Sequence, residues 1–176
     1  MIISYDFGLS LVEYAKKGIN NEFPLFDQCP NCKCHSSGNL HRNGYYWRFG
    51  LTEEVSLRVP ICRMKCLQCK VSFSILPDFF IPYFQHTIET ILHRLYRILE
   101  DKKANGSRQL LRFHLTRYYK SIKWIHSFFV ALGQASGFSK DIKKEAIKYM
   151  KKLQDFGEST FLRRSWGHSS SYFMAH

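Results

Sequence analysis

The sequence predicts an α+β protein in two parts: a small three-stranded β module, then a helical domain. Three observations carry this. Two Cys-x-x-Cys pairs, Cys29/Cys32 and Cys66/Cys69, bracket thirty-three residues of strand-like pattern. Within them Val55, Leu57, Val59 and Ile61 alternate with Ser56, Arg58, Pro60 and Cys62, the period-two signature of a half-buried strand. From Pro82 onward apolar residues recur every three or four positions, the period of an amphipathic helix.

Residues 1–28 read as an N-terminal extension, with a strand at Ile2 to Tyr5 and a two-turn helix near Leu9 to Lys17 closed by Gly18. Asn20-Asn21 and Pro24 then mark a loop into the first cysteine. Residues 29–82 form the β module. Its first strand, Leu40 to Phe49, holds Asn43-Gly44, a turn or bulge signal. Pro60 cannot donate to a ladder, which places the second strand at an edge, and Val71 to Leu76 is the third, ended by Pro77.

Residues 83–156 form the helical domain. Ile88, Ile91, Leu92, Leu95, Ile98 and Leu99 share one face, and Asn105-Gly106 ends that helix. Ser107 caps a short helix from about Arg108 to Phe113, and a turn is expected near His114 to Thr116. A longer helix then runs from Arg117 to about Leu132, with Tyr118, Ile122, Ile125 and Phe129 inward. Ser139 caps a last helix with Ile142, Ala146, Tyr149, Leu153 and Phe156 inward. Residues 157–176 read as a flexible, basic, serine-rich tail.

The net charge is +12, unevenly spread: −2 over residues 1–28, +4 over 29–82 and +10 over 83–176. A positive field of this kind draws in polyanions. There is no run of the ~18 apolar residues needed to span a membrane, and the N-terminus lacks the basic start of a signal peptide. A cytoplasmic location is therefore expected, without a membrane partner. Thiols stay reduced there, so paired cysteines read as metal ligands before disulfides.

Two tight turns, each with cysteines three apart, can aim four thiolates at one point, and a tetrahedron of sulfur suits Zn²⁺. The β module is thus expected to be a three-stranded zinc ribbon with one structural Zn²⁺ on Cys29, Cys32, Cys66 and Cys69. Four protein ligands leave no open position for hydrolysis. Lys33, Lys65 and Lys70 stand nearby to offset the negative charge. Cys34, Cys62, His35 and His41 are alternative ligands, but only the chosen four make two matched turns.

A short helix, a brief turn and a longer helix is the order of a helix-turn-helix. On that reading Arg117, Lys120, Ser121 and Lys123 face double-stranded DNA, and Arg108 and Arg112 grip its backbone. Arg117 opens the reading helix and is the candidate base reader. Lys143, Lys144, Lys148, Lys151 and Lys152 lie on the polar face of the last helix, serving either phosphate contact or solubility. No Ser/His/Asp set, glycine-rich phosphate loop or HExxH stands out, so neither catalysis nor a small-molecule substrate is expected. His86, His93, His114 and His126 read as surface or interface residues. A protein or RNA adaptor is the alternative, with Phe79, Phe80, Tyr83 and Phe84 as an exposed patch or, on the plainer reading, a core joining the two parts.

Cys29-Pro-Asn-Cys32, Asn43-Gly44-Tyr45, Arg63-Met-Lys-Cys66-Leu-Gln-Cys69-Lys-Val-Ser-Phe73 and Leu76-Pro77 resemble the zinc ribbon at the N-terminus of many bacterial insertion-sequence transposases. The chain is also similar to small uncharacterised bacterial proteins of ribbon-plus-helix layout. The resemblance covers roughly residues 29–132 and implies a helix-turn-helix after the ribbon. It departs where the catalytic domain would stand. An acidic-triad transposase needs carboxylates holding two Mg²⁺ on strands, and the seven acids after residue 83 fall in lysine-rich helical stretches. The likeness thus implies a DNA-binding end, in a mobile element or a regulator, acting as a homodimer or with a transposition or regulatory partner.

Overall fold

The computed structural model describes residues 1–175 and is α+β. In chain order the elements are β1 (Ile2–Tyr5), α1 (Leu11–Lys17), β2 (Leu40–Leu51), β3 (Ser56–Cys66), β4 (Ser72–Pro77), α2 (Ile88–Leu99), α3 (Arg108–Ala131), α4 (Ile142–Phe156) and α5 (Glu158–Arg164).

The sheet has four strands in the order β1-β4-β3-β2, not the three expected. β2, β3 and β4 form the antiparallel meander the sequence suggests, and β1 adds alongside β4 in parallel, Ile3 opposite Ile75. The N-terminal segment is therefore part of the sheet. Asn43-Gly44 makes a bulge, with the register slipping between Arg42 and Tyr45 and Gly44 at φ +83°. β3 is an interior strand despite Pro60. Its pairing with β4 spans only Cys62 to Lys65, so Pro60 lies beyond that ladder, and the Tyr14 hydroxyl donates to its carbonyl at 2.8 Å.

Neighbouring residues of a strand point to opposite faces. On one face Val59, Ile61 and Leu76 pack against Leu11 and Tyr14 of α1 and against Phe80. On the other, Cys62, Phe73 and Ile75 are covered by Phe23. Ser10 caps α1 in a reciprocal arrangement with Glu13. The end of β2 is stitched to the segment leading into α2: Leu51 N–H donates to Gln85 O at 3.0 Å and Thr87 N–H donates to Leu51 O at 3.1 Å. Phe80 and Phe84 are buried along this seam and Phe79 is half-buried, so these three form the joining core, while Tyr83 alone of the four is exposed.

α2 buries Ile88, Ile91, Leu92, Leu95 and Leu99, as its periodicity predicts, and Thr87 caps it. The largest difference lies next. Arg108 to Ala131 is one continuous helix of 24 residues, so the turn expected at His114 to Thr116, and with it the helix-turn-helix, is absent. The stretch holds neither glycine nor proline, and a threonine inside a helix costs only tenths of a kcal/mol relative to alanine. A buried stripe of His114, Tyr118, Ser121, Ile122, Ile125, Phe128 and Phe129 starts within the expected turn and runs on from it unbroken. Ser107 does cap this helix, accepting from Leu110 N–H at 3.2 Å. α4 is capped by Asp141 instead of Ser139, and Ile142 is exposed.

Residues 157–175 are a folded part of the helical core and not a loose tail. Phe161 and Leu162 of α5, with Phe173 and Met174 beyond it, are buried among α2, α3 and α4 residues. Trp124 stacks on Phe173 with ring centres 6.2 Å apart, and its indole N–H donates to His168 O at 3.1 Å. The serine-rich composition hid these apolar anchors.

Candidate metal centre and basic helix

The loop before β2 and the β3–β4 turn form two matched knuckles. In each, the first cysteine's N–H donates to the carbonyl five residues on: Cys29 to Cys34 at 2.8 Å and Cys66 to Val71 at 3.0 Å. In each, the residue after the second cysteine takes a left-handed backbone, Lys33 at φ +62° and Lys70 at φ +61°. β3 delivers Cys66 and the N-terminal loop delivers Cys29, both fully buried. The four sulfurs lie within 4.8 Å of one another. Cys29 and Cys69 are 3.9 Å apart and Cys32 and Cys66 3.8 Å apart. A tetrahedron with metal–sulfur bonds of about 2.3 Å has edges of about 3.8 Å, so the group fits a thiophilic dication.

The electrostatics agree with a cation at the centre. The Cys69 N–H directed at Cys66 holds that thiol down to about 6. The Val71 N–H lowers Cys69 in the same way. Cys32 is pulled down by the Cys34 N–H but pushed up further, to about 12, by burial and the sulfurs of Cys34, Cys29 and Cys69. Four sulfurs this close cannot all ionise without a positive charge between them. Cys34 Sγ lies 3.4 Å from Cys32 Sγ and 3.6 Å from Cys66 Sγ, at the edge of the group, whereas Cys62 is buried with Phe73 and Ile75.

Residues 29–113 match a family described as a domain of unknown function (DUF6431). The match is to just under half of the chain. It begins at Cys29 and takes in both knuckles, β2 to β4, α2 and the start of α3. No curated protein and no solved structure matches.

α3 carries the residues assigned to DNA. Arg108, Arg112, Lys120 and Lys123 are exposed and, at 100° per residue, fall on one side of the helix together with Thr116 and Ser127. Among the described residues none of the four pairs with a carboxylate. Arg117 sits apart, half-buried, its guanidinium 5.3 Å from the Phe113 ring. Ser121 is only 2% exposed: its hydroxyl donates to Arg117 O and accepts from Met174 N–H. Ser121 therefore faces the core and contacts no ligand from solvent. The α4 lysines are partly engaged: Lys143 with Asp101 at 3.5 Å, Lys148 with Glu145 at 2.9 Å, and Lys152 with Gln134 O at 2.8 Å.

Two features escaped the sequence reading. Arg94 of α2 is buried, 3.7 Å from Glu53 of the β2–β3 turn, and lies close to the paired rings of His86 and His114, 5.5 Å apart. Burial, with Arg94 nearby, holds His86 down to about 4, and burial with His86 and Arg94 does the same to His114. The second is an exposed row of rings on β2, with Trp47 and Phe49 each about half exposed. No helix of the described residues is long and apolar enough to cross a membrane.

Proposed function

We propose that the chain is a duplex-DNA-binding protein built on one structural zinc ion, serving a mobile element or acting as a regulator in the cytoplasm. Zinc is the dication that suits four closed thiolate ligands and needs no redox chemistry. The 3.8 and 3.9 Å sulfur edges support it.

The observation that carries the DNA reading is the unpaired basic stripe of α3. This helix contains no acidic residue over 24 positions. At 1.5 Å per residue it is roughly 36 Å long, about one turn of duplex. Arg108 to Lys123 spans four helical turns, enough to follow one phosphate run or to lie along a groove. The stripe replaces the helix-turn-helix as the mode of contact, and Arg117 leaves the role of base reader, since Phe113 holds its guanidinium to one side.

The test joins two measurements. Elemental analysis should find one zinc per chain. A titration of random-sequence duplex should show log K falling with log salt at a slope of about −3.6 for four phosphate contacts. Arg112→Glu with Lys123→Glu should halve that slope without changing the helical signal. Duplex binding that is absent at low salt, or indifferent to these two reversals, removes the reading.

A further inference from the structure

We infer that the outer face of the β2–β3 hairpin is a stacking surface for unpaired DNA, separate from the α3 stripe. It rests on the DNA reading above and adds a second substrate form, the single strand.

Tyr45, Trp47 and Phe49 follow one another at two-residue spacing on β2, so all three point to the same face. Trp47 and Phe49 are 48% and 47% exposed although they sit on a well-paired strand. Opposite them the register sets Pro60 against Trp47 and Arg58 against Phe49. The Arg58 guanidinium lies 6.0 Å from each of the two rings. At the other end of the row Arg42 stands 5.7 Å from Tyr45. Two exposed rings flanked by guanidinium groups are the elements that stack bases and hold the phosphates between them.

Charge and spacing identify the occupant. On this face the strands set Arg42 and Arg58 and no carboxylate, while Arg48, Arg63 and Lys65 alternate to the other face. An apolar protein partner would have to bury Arg58 against its own surface, while a nucleic-acid strand neutralises it. Rings two residues apart on a strand are about 6.8 Å apart, twice the roughly 3.4 Å rise per base in a duplex. One base per ring is therefore possible only for a strand whose bases are spread apart. In a duplex the base faces are hidden by their neighbours.

The experiment measures affinity for labelled oligothymidylate, oligouridylate and a mixed-sequence duplex with the full chain. Each lost ring should cost the single strand roughly 5- to 150-fold, so Trp47→Ala with Phe49→Ala should weaken oligothymidylate binding at least about 25-fold and leave duplex affinity within about two-fold. Trp47→Phe keeps a ring and guards against misfolding. It should still bind oligothymidylate, but the tryptophan quenching seen with the native chain should vanish, because Trp124 and Trp166 lie elsewhere. Duplex binding with no quenching, or with a single-strand affinity untouched by the alanine pair, overturns the inference while sparing the α3 reading. Loss of duplex binding alone does the reverse. A preference for oligouridylate, or no strand binding at all, also overturns it.

Discussion

Removing the metal should unfold the sheet half and leave the helical half standing. Between residues 21 and 40 the chain has no regular helix or strand, and its backbone bonds are few, such as Cys29 to Cys34 and Ser36 to Asp27. Besides the Leu67 N–H to Asn39 O bond and the packing of Phe23 and Phe26 on Phe73, what ties this loop to the β3–β4 turn is the sulfur group. A metal linking Cys32 to Cys66 closes a loop of roughly 35 residues, and a cross-link of that length is worth about 4 kcal/mol of loop-closure entropy. That is a large part of the ~5–15 kcal/mol of a typical domain. For a chain of this size it corresponds to a fall in Tm of roughly 8–16 °C. The helical core of Leu95, Tyr118, Ile125, Phe129, Tyr149 and Phe161 does not touch the cysteines and should persist. The assay is thermal unfolding and amide exchange, with and without a chelator, beside Cys66→Ser. Exchange should become fast in β2 and β3 and stay slow in α2 and α3. Cys34→Ser, which alters an edge sulfur only, should keep its metal. A metal-free chain with unchanged Tm and protected β3 amides would refute the reasoning.

Three further outcomes follow from the fold. Gly50→Ala should cost about 1–3 kcal/mol in chemical denaturation, because an added Cβ would stand 2.5 Å from Leu11 Cδ1 and 2.8 Å from Phe80 Cζ. Phe161→Ala should cost about 3–5 kcal/mol, and removal of residues 157–176 should expose the core to a hydrophobic dye; a neutral truncation would restore the view of a loose tail. Acid should destabilise the protein as pH falls from about 6.5 to about 4, because the unfolded chain then binds protons that folded His86 and His114, both near 4, refuse. Asp78 works in the opposite sense: burial holds its carboxyl up at about 6, so its contribution is present at low pH and lost as pH rises from about 3.8 through 6. Two histidines against one carboxyl leave a net loss on acidification, and His114→Phe should flatten it in a series of Tm values against pH.

Local chemistry made much of the molecule legible. The cysteine spacing announced both knuckles, because two thiols three residues apart converge whatever the rest of the chain does. Period two at Val55 to Ile61 announced β3, and the face of Ile88 to Leu99 announced α2, since each pattern has one efficient way to hide its apolar side. Ser107 and Gly44 acted as their backbone chemistry predicts. Other features depended on what covers what. A turn at His114 to Thr116 looked as plausible as the cap at Ser107, yet only Ser107 marks a helix end, because the stripe from His114 to Phe129 packs as one piece on the core. The same packing turned Ser121 inward, since its hydroxyl serves Met174, more than fifty residues away. β1 became a fourth strand by pairing with residues seventy positions on, and Pro60 entered an interior strand because the β4 ladder stops at Cys62, short of the proline. Trp47 and Phe49 stand in the open because the rings covering their face, Phe23 above all, reach only as far as Tyr45. In each case the deciding free energy lies between residues far apart in sequence, where no local pattern can register it.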